Sequence, residues 1–436
     1  MSLPLVAIVG RPNVGKSSLF NRFLKKKLAV VDPIPGVTRD RNYATCDWNG
    51  RHFHLVDTGG MVPDTRDAME KAILDQSDFA IHEADLVLLV VDVQVGVDYN
   101  DERLARILHK PAKPCILVAN KADNENLTSE SYAMNRLGLG DAWPVSATAG
   151  LGIGELLDEI VRKLPDVPPD ETTSDTIRVA VVGRPNVGKS SFINKLLGEN
   201  RLIVSPMAGT TRDAVDTPFE HEGQSYVLVD TAGLRRRYKV QENIEFYTNL
   251  RAERAISDCN VAVVLLDAYQ GFTAQDQRVL AQVLEARRAV VMAINKWDLV
   301  EKDTNTADRF SVAIKAGLAK YSFVPLIYIS ALSGQRVSKV LEYVKRVHAE
   351  NNKRVSTSAL NEFLQRVFGQ RKPPAKQGKY IQFNYVTQTE VAPPTFVFFT
   401  NQPTLVDKSY LGYLNNQLRA EFGFEGSPIR IKCRRK

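Results

Sequence analysis

The sequence Gly-Arg-Pro-Asn-Val-Gly-Lys-Ser-Ser occurs twice in this chain, at Gly10–Ser18 and again at Gly183–Ser191. The same separation joins Asp57 to Asp230, and further matching positions follow in the same order. A repeat of this length exceeds the roughly 20 to 50 residues of solenoid or propeller units. The duplication therefore indicates two copies of a whole domain.

The length and local composition of the chain predict three domains. Its 436 residues correspond to about three domains at roughly 150 residues each. The repeat places the first domain at residues 1–165 and the second at residues 176–350. Between them, residues 166–175 contain two prolines and four acidic residues, which predicts an exposed, extended linker. The repeat ends near Glu350, so residues 351–436 are expected to form a third domain.

Within each copy, short aliphatic runs alternate with stretches of helical periodicity. The runs Leu86–Asp92 and Val261–Asp267 are apolar almost throughout, as in strands that are covered on both faces. Strands separated by helices predict an α/β fold with a mostly parallel sheet and helices on both faces. In such folds ligands bind in loops at the carboxyl ends of the strands.

The repeated sequence contains Gly-x4-Gly-Lys-Ser between a predicted strand and a predicted helix, which is typical of a phosphate-binding loop. Its glycines let backbone N–H groups converge on phosphate oxygens, and the helix N-terminus favours negative charge. Lys16 and Lys189 would reach the β- and γ-phosphates, while Ser17 and Ser190 would hold Mg²⁺. The residues predicted to bind phosphate are Gly10, Arg11, Pro12, Asn13, Val14, Gly15, Lys16 and Ser17, and Gly183, Arg184, Pro185, Asn186, Val187, Gly188, Lys189 and Ser190.

A second motif, Asp-Thr-x-Gly, ends the third predicted strand of each copy. Its Asp would hold Mg²⁺ through water, and its Gly amide would meet the γ-phosphate. Taken alone, the motif is equally consistent with a simple strand-ending turn, but its position behind both phosphate loops favours the nucleotide role. The residues concerned are Asp57, Thr58, Gly59, Gly60 and Met61, and Asp230, Thr231, Ala232, Gly233 and Leu234.

A third pair of motifs, Asn-Lys-x-Asp and Ser-Ala, predicts which base is bound. A carboxylate accepts hydrogen bonds from N1–H and the 2-amino group of guanine, whereas adenine would leave it without partners. The aliphatic part of the Lys would cover the ring, and a backbone N–H of Ser-Ala would bond guanine O6. The residues are Asn120, Lys121, Ala122, Asp123, Ser146 and Ala147, and Asn295, Lys296, Trp297, Asp298, Ser330 and Ala331.

With these motifs in tandem, the chain resembles the translation-factor-related GTPases, and more specifically the bacterial double-GTPase ribosome-assembly factors of the Der or EngA family. The resemblance covers nearly the whole chain. It implies two tandem P-loop GTPase domains followed by a small α+β KH-like domain. It also implies GTP hydrolysis in both copies, with GTP or GDP and Mg²⁺ as ligands. The implied role is in late maturation of the large (50S) ribosomal subunit, and the implied partners are that subunit and its rRNA.

The resemblance further implies that Thr38 and Thr211 are the switch threonines that bind Mg²⁺ and sense the γ-phosphate. The residues expected at the metal are then Ser17, Thr38, Asp57, Ser190, Thr211 and Asp230.

The route of hydrolysis must differ from that of many small GTPases, which place a Gln after Asp-x-x-Gly to orient water. Met61 and Leu234 stand at that position, and an apolar side chain cannot orient water. Asn13 and Asn186 match an asparagine that helps related GTPases to hold K⁺ beside the phosphates. This predicts slow, K⁺-stimulated hydrolysis; the alternative is that both asparagines only fix the loop. The expected catalytic residues are Asn13, Lys16, Thr38, Asn186, Lys189 and Thr211.

The end of the chain is basic, with 14 Lys or Arg and 5 Asp or Glu residues from Lys353 onward. Its pattern of helix, strand, strand, helix and strand, with the first strand over Tyr380–Val386, resembles a KH-like fold. An RNA-binding KH domain carries Gly-x-x-Gly between two helices. The one match, Gly423-Phe-Glu-Gly426, stands between a helix and a strand, so we expect a helix-ending turn. The basic charge favours electrostatic contact with RNA.

No apolar run approaches the ~20 residues that span a bilayer. We therefore expect no membrane partner. The protein is also expected to be a monomer in the cytoplasm, without a DNA partner. Two other functions fit parts of the sequence. One is a non-catalytic guanine-nucleotide sensor or RNA-binding module with one silent GTPase copy. The other is a tRNA-modifying GTPase, which shares the phosphate loop but has a single GTPase unit.

Overall fold

The structure is a computed structural model and separates into two compact units. One consists mainly of Met1–Glu171 and the other mainly of Thr172–Gln241 and Thr248–Lys436. For 203–204 and 244–250 only the backbone is described. The described residues are 3–24, 43–58, 84–109, 114–165, 175–198, 203–204, 216–230, 244–300, 321–376 and 378–435.

The first unit contains a six-stranded, mostly parallel sheet. Its strands are β1 (Leu5–Val9), β2 (Tyr43–Trp48), β3 (Arg51–Asp57), β4 (Leu86–Asp92), β5 (Cys115–Asn120) and β6 (Trp143–Val145). They lie in the order β2-β3-β1-β4-β5-β6, and only the β2–β3 pairing is antiparallel. The described helices are α1 (Lys16–Phe23), α2 (Tyr99–His109), α3 (Glu125–Glu130) and α4 (Ile153–Lys163), with a 3-10 helix at Ser131–Leu137.

The second unit repeats this arrangement in a seven-stranded sheet. Its strands are β7 (Ile177–Val182), β8 (Ile203–Val204), β9 (Thr217–His221), β10 (Gln224–Val229), β11 (Val261–Asp267), β12 (Ala289–Asn295) and β13 (Leu326–Tyr328). The order is β13-β12-β11-β7-β10-β9-β8, antiparallel only at β10–β9 and β9–β8. The described helices are α5 (Lys189–Leu197), α6 (Ile244–Asp258), α7 (Ala274–Glu285) and α8 (Lys339–Asn351), with a 3-10 helix at Trp297–Leu299.

Helices cover both faces of each sheet, as the apolar runs predicted. All seven residues of β4 and all seven of β11 are buried. Successive side chains of β11 point to opposite faces: Val263 belongs to the core that includes α5 and α8, and Val264 to the core that includes α6 and α7. The α/β fold class expected from the sequence is confirmed. This topology brings the loops after β1, β3, β4, β5 and β6, and their counterparts, to one edge of each sheet.

The second unit continues into a small α+β domain with its own core. Its elements are α9 (Thr357–Gln370), β14 (Phe383–Glu390), β15 (Thr395–Thr400), α10 (Lys408–Phe422) and β16 (Arg430–Arg434), with a 3-10 helix at Pro403–Leu405. β15 lies between β14, which is antiparallel to it, and β16, which is parallel. Phe363, Phe396, Phe398 and Leu414 are fully buried between sheet and helices. The predicted order of helix, strand, strand, helix and strand is confirmed.

The Gly423–Gly426 turn directly follows α10 and docks on the preceding domain of the same unit. Gly426 N donates to Phe323 O at 2.7 Å, and Val290 N donates to Gly426 O at 2.8 Å. The Arg419 guanidinium lies 3.7 Å from the centroid of the Phe323 ring, and burial lowers its pKa to about 10. The predicted helix-ending turn is confirmed. Its Gly426 makes backbone hydrogen bonds to the preceding domain.

Replacing Gly426 by Ala should loosen this contact. Gly426 has φ +68°, and a Cβ there would lie 2.7 Å from Val290 O and from both methyl groups of Val347. We expect a loss of roughly 1–3 kcal/mol in the stability of the second unit, measured as a lower midpoint of denaturant unfolding. Gly412→Ala is the matched control, because that glycine lies in α10 with no atom near its Cβ position. An equal loss in both variants would contradict the proposed clash.

No helix in the described ranges is both long and apolar enough to cross a membrane.

Candidate functional site

The two phosphate loops have the same backbone form, pressed against the neighbouring strand. Gly10 has φ +152°, and a Cβ on it would lie 2.4 Å from Val90 O in β4. Gly183 has φ +151°, with the corresponding contact at 2.6 Å from Leu265 O in β11. Any side chain at these two positions would collide with the backbone of the neighbouring strand, so glycine is required there. The loops end in Lys16 and Lys189, which begin α1 and α5.

Both loop lysines are held over their own loop. Lys16 Nζ donates to Gly10 O at 2.7 Å and to Arg11 O at 2.8 Å. Lys189 Nζ makes the equivalent bonds to Gly183 O at 2.6 Å and to Arg184 O at 2.8 Å. Burial lowers the pKa of Lys16 from 10.5 to about 8, although nearby Asp57 opposes the shift. A buried ammonium of this kind is suited to gain an anionic ligand.

The residues predicted at the metal supply oxygen donors that fit Mg²⁺. Ser17 Oγ donates to Asp57 Oδ2 at 2.6 Å, so the hydroxyl at the start of α1 meets the carboxylate that ends β3. In the second copy, Ser190 Oγ is shielded from solvent and has no hydrogen-bond partner among the described residues, so its oxygen can bind an ion. Asp230 follows β10 directly. Thr38 and Thr211, predicted to complete the metal ligands, lie outside the described residues.

Most of the residues after the metal aspartates also lie outside the described ranges, namely Gly59, Gly60, Met61, Thr231, Ala232, Gly233 and Leu234. Thr58 is described, and its Oγ1 donates to Ile8 O at 2.6 Å. The Thr58 side chain therefore joins β3 to β1.

The asparagine of each Asn-Lys-x-Asp motif connects the phosphate loop to the Ser-Ala loop. Asn120 Nδ2 donates to Val14 O at 2.8 Å, and its Oδ1 accepts from Ala147 N at 3.0 Å. In the second copy, Asn295 donates to Val187 O at 2.8 Å and accepts from Ala331 N at 2.9 Å. The sequence predicted a supporting role for this asparagine, and the structure shows which loops it joins.

The remaining base-recognition residues divide between exposed and buried positions. The side chains of Asp123 and Asp298 are exposed and accessible to a ligand. Ser146 Oγ donates to Asp123 Oδ1 at 2.6 Å, which fixes that carboxylate beside the Ser-Ala loop. Trp297 is buried and lies 4.3 Å from the Tyr328 ring centroid, and Ala122 is buried too. These two motif side chains therefore pack in the core.

Asp92 and Asp267 also belong to these loops, although they were not among the predicted site residues. Lys121 Nζ lies 2.6 Å from Asp92 Oδ2, and Lys296 Nζ lies 2.7 Å from Asp267 Oδ2. Each Asp ends the strand that neighbours the Asn-Lys-x-Asp strand, and it orients the lysine whose stem would cover a base. The sequence did contain a signal for them, because the aliphatic run of the fourth strand ends in Asp in both copies.

Fold and site together define a P-loop GTPase, present twice in one chain. The family described as 50S ribosome-binding GTPase matches residues 5–121 and 178–296. The KH-domain-like C-terminal part of EngA bacterial GTPases matches residues 354–434.

Full-length relatives carry the same domains. GTPase Der of Caldanaerobacter subterraneus subsp. tengcongensis is 48% identical over 439 residues, covering 100% of this chain and 99% of the relative. GTPase Der of Pelotomaculum thermopropionicum is 48% identical over 436 residues, with the same coverage. A solved structure of Era from Aquifex aeolicus with GDP and AlF4⁻ is 20% identical, with a TM-score of 0.32, covering 60% of this chain and 93% of Era. The chain belongs to the Der, or EngA, family of bacterial GTPases, which bind GTP or GDP with Mg²⁺.

The lowered pKa of Lys16 predicts how nucleotide affinity depends on pH. Below pH 7 the ammonium is charged; as pH rises through about 8 it loses its proton, and binding of a phosphate must then take up a proton. We expect the affinity of the first site for GDP to fall about tenfold between pH 7 and pH 9. Calorimetric titration of the Lys189→Ala chain, which silences the second site, measures this.

Lys16→Arg is the control, because a guanidinium stays charged throughout this range. Its affinity should be flat from pH 7 to pH 9. The same pH dependence in the Arg variant would show that another group is responsible.

Proposed function

We propose that this protein is a slow GTPase switch in late maturation of the large (50S) ribosomal subunit, in which the nucleotide state of two domains controls contact with rRNA. The observation that carries the proposal is that one chain combines two nucleotide sites of the same geometry with a basic C-terminal domain. The protein would act as a monomer in the cytoplasm. Its GTPase domains would occupy residues 1–165 and 176–350, and its KH-like domain residues 351–436.

The agreement between the copies supports two working sites. The lysine, asparagine and aspartate contacts recur in both copies, with distances that differ by at most 0.1 Å. This favours two nucleotide-binding domains over a sensor or RNA-binding module with one silent copy. It also disfavours a tRNA-modifying GTPase, which carries a single unit of this kind.

K⁺-stimulated hydrolysis is supported by the two loop asparagines. Asn13 and Asn186 adopt left-handed φ angles of +66° and +64°. Both side chains are exposed, and no hydrogen bond involving either is found within the described parts of the chain. They are therefore accessible to a cation beside the phosphates, which would stabilise charge that develops during hydrolysis. The alternative, that the side chains fix the loop, would need such hydrogen bonds.

Turnover in KCl against NaCl at equal ionic strength tests this role. We expect hydrolysis to be faster in KCl by about tenfold or more, because a bound cation acts on the transition state. The chain with both Asn13→Ala and Asn186→Ala should lose this difference. Equal wild-type rates in the two salts would remove K⁺ from the proposal.

Contact with RNA is proposed to be electrostatic. The Gly423–Gly426 turn is engaged with Val290 and Phe323, so it is not available to clamp a nucleic-acid backbone. Lys372 and Lys379 are exposed, and phosphate contacts by such side chains bind RNA without reading its sequence.

Co-sedimentation with ribosomal subunits tests the proposed function. We expect the full chain to sediment with large subunits in a non-hydrolysable GTP analogue, and less with GDP. Reversing charge with Lys372→Glu and Lys379→Glu should reduce the bound fraction by roughly tenfold and weaken its salt dependence. Lys376→Ala is the control, because its ammonium already pairs with Asp407. Absence from large subunits with every nucleotide would overturn the proposal.

A further inference from the structure

A buried arginine–aspartate pair stands behind each phosphate loop. Arg11 Nε donates to Asp101 Oδ2 at 3.1 Å, and Arg184 Nε donates to Asp276 Oδ1 at 3.1 Å. In both pairs the Arg side chain is 12% exposed and the Asp side chain 0% exposed. The arginines were predicted as phosphate-loop residues, but their guanidinium groups bind these carboxylates.

The two pairs have the same geometry although the chain between their anchor points differs. Asp101 follows Asp92 through Val-Gln-Val-Gly-Val-Asp-Tyr-Asn, whereas Asp276 follows Asp267 through Ala-Tyr-Gln-Gly-Phe-Thr-Ala-Gln. In each copy the Asp at the start of this segment pairs with the lysine of the Asn-Lys-x-Asp motif. The Asp at its end pairs with the arginine of the phosphate loop. The segment therefore joins the two parts of the nucleotide site.

Helix capping alone does not account for the aspartates. Asp276 forms a capping box with Thr273 at the start of α7, and Asp101 Oδ2 accepts from Asp98 N at 3.2 Å before α2. An exposed Asp would serve a cap equally well. Instead, burial raises the pKa of Asp101 above its usual value even with Arg11 beside it. Removing both charges from water is costly, which indicates a role for the pair itself.

The backbone carbonyl of each arginine binds the lysine of the same phosphate loop. Arg11 O accepts from Lys16 Nζ at 2.8 Å, and Arg184 O accepts from Lys189 Nζ at 2.8 Å. A residue whose side chain is fixed by a buried carboxylate presents its carbonyl at a fixed place. The lysine ammonium is then held within reach of an anion on the loop.

We propose that Asp101 and Asp276 are positioning residues for GTP hydrolysis, which act through Arg11 and Arg184 to place Lys16 and Lys189. The inference rests on the nucleotide-binding role of the two loops. The two aspartates lie outside the phosphate, metal and base motifs, and the proposal gives the segment after the fourth strand of each domain a function in turnover.

The test uses the full chain with Lys16→Ala, so that turnover reports the second copy. Asp276→Asn should lower kcat by roughly 10- to 100-fold, because small misplacement of a catalytic group is costly. KM should change less than about threefold, because the base loops still hold the nucleotide. Arg184→Met should have the same effect, and the double variant should be no worse than either alone, because the two act as one unit.

Thr273→Ala is the matched control, because it removes the hydroxyl that caps α7 and donates to Asp276 Oδ2, whereas Asp276 Oδ1 still accepts from Arg184 Nε. It should lower thermal stability without lowering kcat. A fall in kcat equal to that of Asp276→Asn would reduce the pair to a structural cap and overturn the inference. Additive losses in the double variant would overturn it as well.

The outcomes separate this inference from the proposed function. If the Lys16→Ala chain hydrolyses GTP and Asp276→Asn leaves its kcat unchanged, only the positioning role fails. If the second copy does not hydrolyse GTP at all, the two-site GTPase proposal fails, and the positioning role for that copy fails with it.

Discussion

Each nucleotide site depends on one buried side-chain amide. The amide of Asn120 donates to the phosphate loop and accepts from the Ser-Ala loop, and Asn295 does the same in the second copy. An aspartate has no donor to offer and an aliphatic side chain has neither group, so only an amide of this length satisfies both loops. A Cβ on Gly15 would lie 2.2 Å from Asn120 Nδ2, so the loop glycine and the amide require each other.

The alternation of strands and helices and the strand-ending motifs could be predicted because both follow from local pattern. Aliphatic runs such as β4 and β11 are buried throughout, and chemistry follows their carboxyl ends. The residues at which strands begin and end were harder to predict, because pairing with neighbouring strands determines them. The sequence predicted Tyr380–Val386, but β14 spans Phe383–Glu390. Its ladder begins opposite Thr400, and Tyr380 remains 83% exposed outside it.

Residues within motifs were predictable as a group but not in their individual orientations. Trp297 and Ala122 are buried in the core, and the arginine of each phosphate loop turns towards a carboxylate. The partners Asp101 and Asp276 lie about 90 residues further along the chain, on helices that carry no recognised motif. Comparing the two copies would have shown both aspartates at equivalent positions, but only the fold places them against Arg11 and Arg184.

The contact between the KH-like domain and the second GTPase domain involves the strands that carry the base-recognition loops. Val290 lies near the start of β12, which ends at Asn295, and Phe323 precedes β13, which leads to Ser330. The glycine turn therefore binds at one end of these strands, and the predicted guanine site lies at the other. A strand in a packed sheet resists changes in length and direction. The Gly426 and Arg419 contacts thus connect the basic domain to the strands that lead to the guanine loops of this unit, and any movement of one relative to the other must first break them.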